Sequence, residues 1–239
     1  MSGKSEVGRM AELASGMKVV DLSHALEEHM PSAKSHSRYF HTLWESFDTG
    51  SIALAYQLIM NEHTGTHMDA TAHFLREDHP AHQYMDETPA TQFFGRALTL
   101  DFTHYGELDL VTVAELEDWE RRNEPIRSGD IVFFYFGWDR YWAPRTVSRK
   151  FSERWPGIGG EAAEWLVRRG VKVVGCDTIA IDGCASPDAP AHYILLGNRV
   201  NIVENLARLS EIVGESFVVI APLKVKRGSA GPMRALAFK

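Results

Sequence analysis

The sequence has few cysteines, no long apolar run and no excess of positive charge, and each shortage excludes a class of protein. Among its 239 residues only Cys176 and Cys184 carry a thiol, whereas small secreted disulfide scaffolds use more. A zinc-binding pair or a redox couple stays open, but a buried strand residue and a loop thiol are the simpler interpretation. A chain of this length can bury a core without disulfides.

Neither a membrane nor a nucleic acid is an expected partner. No apolar run approaches the ~20 residues that a membrane-spanning helix needs. The opening stretch "MSGKSEVGRMAELASG" has no continuous apolar segment of the kind found in signal peptides, so we expect a cytoplasmic protein. The net charge of −7 at pH 7 disfavours nucleic acid, because binding a phosphate backbone needs a basic surface.

The order of apolar and amphipathic segments predicts a mixed α/β fold. The strand candidates are "MKVVDLSHAL", "IALAYQLIM", "GRALTLDFTH", "DIVFFYFGW", "VKVVGCDTIAIDG" and a final "SFVVIAPLKV". Two helices are predicted: "TVAELEDWERRN", which begins with a capping box of Thr112 and Glu115, and "GGEAAEWLVRRG", which ends at Gly170. "MPSAKSHSRYFHTLWESFDTGS" is predicted to be a long surface loop. Strands that alternate with helices favour α/β, and without a linker-like stretch we expect one domain over residues 1–239.

The most informative stretch is "NEHTGTHMDATAHF", residues 61–74, which contains His63, His67, Asp69 and His73. Imidazole and carboxylate groups that converge in this way are typical of zinc sites. Gly65 and its flanking threonines are poor helix formers. We therefore expect a strand-to-loop turn, in which Gly65 lets the rings of His63 and His67 meet, with Asp69 on the same face as His67.

His73 lies four residues beyond Asp69, a position that suits a proton shuttle better than a metal ligand, because imidazole titrates near neutral pH. The other histidines show no comparable spacing. His79 and His82 flank Pro80 in a polar loop and are interpreted as surface residues, or alternatively as residues that line the pocket. No site is predicted from the remaining ones, which are His24, His29, His36, His41 and His104.

The pattern H-x-G-T-H-x-D-x-x-x-H resembles the signature of the cyclase-like metal-dependent hydrolases, the family of bacterial kynurenine formamidases and isatin hydrolases. It is matched by His63, Gly65, Thr66, His67, Asp69 and His73, with Thr71 where the family usually has proline. Three further stretches resemble the family: "DTIAID" (residues 177–182), "AHYILLGNRVNIVENLARL" and the C-terminal "APLKVKRGSAGPMRALAF". The resemblance runs from about Val19 to the end of the chain.

The resemblance implies a mixed swivelling β/β/α cyclase-like fold, a homodimer and a site for divalent metal. By this likeness, His63, His67 and Asp69 hold the first ion, and Asp69 bridges to a second ion completed by His192 and Glu204, twelve residues apart. Formamidases use zinc and isatin hydrolases manganese; the latter replace the distal glutamate, so Glu204 favours two ions. From the residues alone, Glu204 also fits the start of a helix "ENLARL", where the helix dipole favours an acid.

The implied activity is hydrolysis of the C–N bond of a small amide, formamide or lactam by metal-activated water, with His73 as general acid/base. The early loop "EEHMPSAKSHSRYF" lacks the tryptophan that formamidases carry there. Phe40, Trp44 and Phe47 either form an aromatic pocket instead or pack as loop hydrophobes. The alternatives are a metal-dependent cyclase or dehydratase, which is a lyase acting on a small carbonyl compound, and a non-catalytic metal-binding protein.

Overall fold

A computed structural model describes residues 5–239. The strands are β1 (Val19–Asp21), β2 (Phe40–Glu45), β3 (Ala55–Ile59), β4 (His67–Asp69), β5 (Phe94–Asp101), β6 (Leu110–Val111), β7 (Ile131–Tyr135), β8 (Gly157–Ile158), β9 (Val173–Cys176), β10 (Asn201–Glu204), β11 (Gly214–Pro222) and β12 (Ala230–Phe238). The α-helices are α1 (Glu6–Gly16), α2 (Val113–Arg122), α3 (Gly160–Arg169) and α4 (Pro190–Gly197).

Seven strands close into a mixed barrel in the order β12, β11, β5, β7, β9, β10 and β4, because β4 returns to pair with β12. The run β5–β7–β9–β10 is parallel, and β11, β12 and β4 join it antiparallel. β1 extends the antiparallel side by pairing with β12. The described residues thus form a single α/β domain, as predicted, while the exact bounds 1–239 stay a prediction.

Alternating residues of the barrel strands face two cores, because successive side chains of a strand point to opposite sides. On β7, Val132 and Phe134 pack into the core that includes α2, α3 and α4. Their neighbours Ile131 and Phe133 pack into the second core with residues of β4, β11 and β12. Gly175 of β9 permits this packing, since a Cβ there would lie 2.9 Å from the Phe133 ring.

Both helices expected from the sequence are confirmed. In α2, the Thr112 side chain accepts from the backbone N–H of Glu115 (3.3 Å), and Glu115 accepts from the backbone N–H of Thr112 (3.1 Å). α3 ends at Gly170, whose φ of 74° is left-handed. None of the helices among residues 5–239 is long and apolar enough to cross a bilayer.

The predicted surface loop after Met30 is only partly correct. It contains β2, which pairs with β3 as an antiparallel hairpin with an irregularity near Leu43. The large apolar side chains of this hairpin and its turn are exposed: Phe40, Leu43, Trp44, Phe47, Ile52, Leu54, Tyr56, Leu58 and Ile59. None of them belongs to the two apolar cores of the described residues, and the two interpretations of Phe40, Trp44 and Phe47 stay predictions.

Three further differences from the sequence analysis concern element type. The helix predicted for "ENLARL" is wrong: Glu204 ends β10, and Asn205 then takes a left-handed φ of 58°. β11 is not the final strand, because β12 follows it. α1 was not predicted; Ser5 caps it, and none of its residues is buried.

Candidate metal centre

The register of β4 brings the histidine turn to Glu204. In the antiparallel pairing with β10, His67 lies opposite Glu204 and Asp69 opposite Ile202. On its other side β4 pairs with β12, where Pro232 faces His67. Because residues i and i+2 of a strand share a face, His67 and Asp69 both present their side chains to the same side, as the sequence analysis predicted.

The turn before β4 needs glycine at its centre, also as predicted. Gly65 has a φ of 63°, and a Cβ there would lie 2.5 Å from Leu26 Cδ2. The next residue, Thr66, fixes the turn: its hydroxyl donates to Asn205 O (2.6 Å) and accepts from the backbone N–H of His24 (3.0 Å). Gly65 O in turn accepts from Asn205 Nδ2 (2.9 Å), so the end of β10 holds the turn in place.

Asp69 lies at the centre of the cluster. Its Oδ1 is 2.8 Å from His63 Nδ1 and 3.5 Å from His67 Nε2, and its Oδ2 is 3.7 Å from His192 Nε2. Two sets of possible metal-ligand atoms share this carboxylate, and in each set the atoms lie within 4.8 Å of one another: His63–Asp69–His73 and His67–Asp69–Glu204.

Glu204 and His192 complete the cluster from the other side. Glu204 Oε2 lies 3.5 Å from His67 Nε2, and Glu204 Oε1 lies 3.3 Å from His192 Nε2. All five predicted ligands are at least nine-tenths buried. The sequence-distant pair therefore meets the local turn, although no sequence spacing requires it.

The donor set fits a divalent cation. His67 Nε2 and Asp69 Oδ2 are buried without a hydrogen-bond partner among the described residues, whereas Asp69 Oδ1 lies 2.8 Å from His63 Nδ1. A buried polar atom without a partner is costly. The rings of His67 and His192 are each oriented through Nδ1, the nitrogen that faces away from the cluster. His67 Nδ1 lies 2.9 Å from Gly65 O, and His192 Nδ1 lies 2.6 Å from Asp182 Oδ2. Such outer contacts are typical of metal-binding histidines.

Without a metal ion, protons on His67 and His192 balance the negative charge of the buried carboxylates. Burial opposes charge on His67 and His192, but interactions with Asp69 and Glu204, and with Asp182 for His192, raise both pKa values above normal. Burial disfavours ionised Asp69, yet the neighbouring His73 and His63 hold its pKa well below the usual range. Protons on the two imidazoles thus balance the buried carboxylates, and metal ions displace such protons when they bind.

His73 stands at the rim of the cluster. A 3₁₀ turn at Thr71–His73 positions it, and its ring centroid lies 4.0 Å from that of His63. Thr71, where the family usually has proline, donates its hydroxyl to Ala81 O (2.6 Å). Burial lowers the pKa of His73 to about 4, while Asp69 acts in the opposite direction. Its imidazole is therefore neutral at pH 7, and a pKa of about 4 makes it a weak base at that pH.

Several supporting residues were missed from the sequence. Asp182 accepts from the backbone N–H groups of Ala191 (2.8 Å) and His192 (3.0 Å), besides the His192 ring. Its only sequence signal was the "DTIAID" stretch. Ser229 contacts His63 Nε2 (3.2 Å) and donates to Glu62 (2.8 Å). Ser229 lies 166 residues from His63, and nothing in the local sequence marks it.

Aromatic rings border the cluster on one side. Phe74 stacks on His192 with ring centroids 4.5 Å apart, and Tyr193 packs edge-on to Phe74 at 4.9 Å. On another side lies His36, which the sequence analysis had set aside; its ring centroid is 5.0 Å from that of His63. His79 and His82 lie apart from the cluster, with His79 exposed and His82 bonded to Leu75 O (2.8 Å).

Comparison with known proteins agrees with this geometry. The family model described as "Putative cyclase" matches residues 20–183. Kynurenine formamidase of Erythrobacter litoralis is 28% identical over 95% of this chain and 96% of its own length. Isatin hydrolase of Roseibium aggregatum is 26% identical over 100% of this chain and 98% of its own.

Solved structures of isatin hydrolases share the fold of this chain. Isatin hydrolase A from Ralstonia solanacearum superimposes with a TM-score of 0.91 at 27% identity, covering 100% of this chain and 98% of that protein. An isatin hydrolase bound to the product analogue thioisatinate gives 0.89 at 25% identity, covering 100% and 99%. The chain belongs to the cyclase family, whose members include relatives of kynurenine formamidase and isatin hydrolase.

Proposed function

We propose that this protein is a metal-dependent hydrolase that cleaves the C–N bond of a small amide, formamide or lactam. The observation that carries the proposal is the pair of ligand sets sharing buried Asp69, with His67 Nε2 and Asp69 Oδ2 left without a hydrogen-bond partner among the described residues. The activities named for the relatives, a formamidase and an isatin hydrolase, both open a bond between a carbonyl carbon and nitrogen. These two lines of support are independent of each other.

We assign His63, His67 and Asp69 to the first ion, and Asp69, His192 and Glu204 to the second. This grouping follows the family resemblance and differs from the two compact sets, which place His73 with His63 and place Glu204 with His67. The ions are zinc or manganese, since imidazole and carboxylate ligands suit both. Support comes from His192 Nε2, which is 3.3 Å from Glu204 and 3.7 Å from Asp69. When bound, such ions polarise a carbonyl group and lower the pKa of water to roughly 7.

The residues of the chain itself have three roles: they bind the substrate, orient the His192 ring and move a proton. The rings of Phe74 and Tyr193 offer an apolar wall against which a small planar substrate can stack. Neutral His73, beside His63 and Asp69, takes a proton from the attacking water and returns it to the leaving nitrogen. Asp182 keeps the His192 ring in one orientation through its Nδ1 bond.

The test is hydrolysis of a simple aryl formamide, formanilide, by protein loaded with zinc or with manganese. We expect formate and aniline in equal amounts, and loss of turnover after chelation that is regained with metal. A protein that binds metal at the site but hydrolyses no formamide, anilide or lactam would contradict the proposal.

The second candidate is a cyclase or dehydratase, which the name of the matching family favours. In that reaction His73 would move a proton on carbon rather than between oxygen and nitrogen. Turnover in ¹⁸O-labelled water separates the two, because hydrolysis of an amide places one solvent oxygen in the carboxylate product and elimination places none. A non-catalytic metal-binding protein would show neither product.

We also propose a homodimer. The exposed apolar side chains of the β2–β3 hairpin, such as Trp44 at 74% and Ile52 at 97% exposure, are what a protein interface covers. Sedimentation at low concentration should give a dimer, and replacing Trp44 and Leu58 by serine should shift it towards monomer. A wild-type protein that sediments only as monomer would remove this proposal.

A further inference from the structure

A small pocket adjoins the metal cluster, and His63 belongs to both. The pocket lies between the loop at residues 29–39 and Arg145, and its wall includes Ser32, His36 and Tyr39. A backbone hydrogen bond from Arg145 N to His29 O (2.8 Å) ties the two segments together. The pocket has a volume of about 10 Å³, which is room for roughly one water-sized group such as a carboxylate oxygen. A group bound there is one side chain away from the candidate metal ligands.

The pocket has positive charge without a matching negative charge. None of the residues that line it is acidic. Arg145 is half-buried, and among residues 5–239 no carboxylate lies within ion-pair distance of its guanidinium. Burying part of a guanidinium without a counter-ion costs free energy, and arginine is the residue best shaped to receive a planar carboxylate through two parallel hydrogen bonds.

A second polar group in the wall also lacks a partner. The hydroxyl of Ser32 is buried and makes no hydrogen bond within the described part of the chain. Glu28, the acidic residue that acts on nearby Tyr39, already accepts from the backbone N–H of His41 (3.1 Å) and does not line the pocket. The wall therefore offers two unused polar groups, one of them cationic, beside the reaction site.

We propose that Arg145, with Ser32 and the ring of His36, binds a carboxylate of the substrate while its amide lies at the metal centre. The proposal rests on the hydrolase function above and narrows its substrate to small amides that carry an acid group. Arg145 is then a specificity-determining residue: it lowers KM for acidic amides and contributes nothing to neutral ones.

The test compares two substrates that differ only in the acid: 2-formamidobenzoate and neutral formanilide. The variant is Arg145→Gln, which keeps a polar side chain without the charge. The matched control is Arg149→Gln, because Arg149 is exposed on the same segment and does not line the pocket. All three proteins are used as the full chain loaded with zinc or manganese, with metal content measured.

Wild type and the Arg149 control should favour 2-formamidobenzoate. Arg145→Gln should raise KM for it by about 10- to 100-fold, as expected for one hydrogen bond to a charged group, and leave the kinetics of formanilide unchanged. Equal kcat/KM for both substrates in wild type would overturn the inference. So would a variant that loses both activities to the same extent.

Calorimetric titration with benzoate makes the inference testable without turnover. If no amide is hydrolysed, the proposed function fails, but weaker benzoate binding by Arg145→Gln than by wild type still supports a carboxylate site. Equal benzoate binding by the two proteins overturns it. Titration with inorganic phosphate tests whether the site takes inorganic anions instead of a substrate carboxylate. If phosphate binds more tightly than benzoate, and its binding depends on Arg145, the site is one for inorganic anions and the substrate assignment is overturned.

Discussion

The two halves of the candidate metal centre are built in different ways. The proximal half, residues 61–73, is one short stretch of chain shaped by Gly65 and by two hydrogen bonds with Asn205: the Thr66 hydroxyl donates to Asn205 O, and the Asn205 side-chain amide donates to Gly65 O. The distal half takes His192 from α4, Glu204 from β10 and Asp182 from the segment between β9 and α4, and it orients them mainly through side-chain carboxylates. The proximal half thus depends on local backbone geometry, and the distal half depends on barrel register and on charge.

Asp69 joins the halves, so its loss should have the largest effect. Asp69→Asn keeps the shape but removes the charge that offsets both ions, and we expect loss of bound metal and of activity to the level of chelated protein. Metal analysis and formanilide hydrolysis check this. Asp101→Asn, on the exposed end of β5, is the control and should match wild type. An Asp69→Asn protein with full metal content would refute the shared-ligand assignment.

His73→Ala tests whether the proximal half contains a residue that serves catalysis without holding metal. We expect normal metal content and a rate lower by about 10²- to 10⁴-fold, the usual loss for a general acid/base. His73 also lies within ligand distance of His63 and Asp69. If metal content falls in proportion to activity, His73 is a ligand and the division of roles is wrong.

Glu204→Gln tests the distal half alone. The amide keeps an oxygen acceptor for the backbone N–H of Ile181, which Glu204 binds at 2.9 Å, but it no longer balances a second cation. Bound metal should fall from two ions towards one, with the proximal ligands still loaded. If wild type with excess zinc or manganese never binds more than one ion, there is no second site.

The smallest predicted effect is on the pH dependence of stability. The pKa values of His67 and His192 are raised on folding, so their contribution is present below the unfolded value of about 6.5 and is lost as pH rises through the folded values. His73 and His24, with pKa values lowered to about 4, act oppositely and destabilise the native state below about pH 6.5.

Metal-free protein should therefore become easier to unfold as the pH is raised above about 6.5. Metal-loaded protein should not, because the ions replace the protons on His67 and His192. Urea unfolding at several pH values, with and without chelator, measures this. A metal-free protein whose unfolding midpoint does not fall over that range would contradict the assigned charge balance.

The same contrast explains how much could be predicted from the sequence. The proximal half was found because its ligands, turn glycine and strand all lie within one readable stretch. His192 and Glu204 were identified only through family likeness, since their meeting with His67 depends on which strands pair. Asp182 and Ser229 were missed because their contacts are set by barrel closure, which no local pattern encodes.

The errors in the predicted secondary structure have related causes. "ENLARL" has helix-forming residues, but the backbone N–H groups of residues 205–207 donate to Thr178 O, Cys176 O and Leu22 O instead of along a helix. Tertiary hydrogen bonds override weak local propensity. β3 lies within the strand candidate "IALAYQLIM" and is confirmed. β2 is the strand that the sequence does not predict, because turn-forming residues surround it and its exposed apolar side chains show no inward–outward alternation. His36 was dismissed because only the folded loop brings it to His63.

The strand that carries His67 and Asp69 is only three residues long, and the same three residues close the barrel against β10 and β12. A slip of one residue in either pairing would turn Met68 towards the metal and both ligands towards the core. Met68 packs in the second apolar core, so such a slip would also place an apolar side chain among the polar groups of the cluster and two polar side chains in the core. Correct assembly of the barrel and readiness to bind metal are therefore a single event, and a misregistered chain cannot retain a partial site.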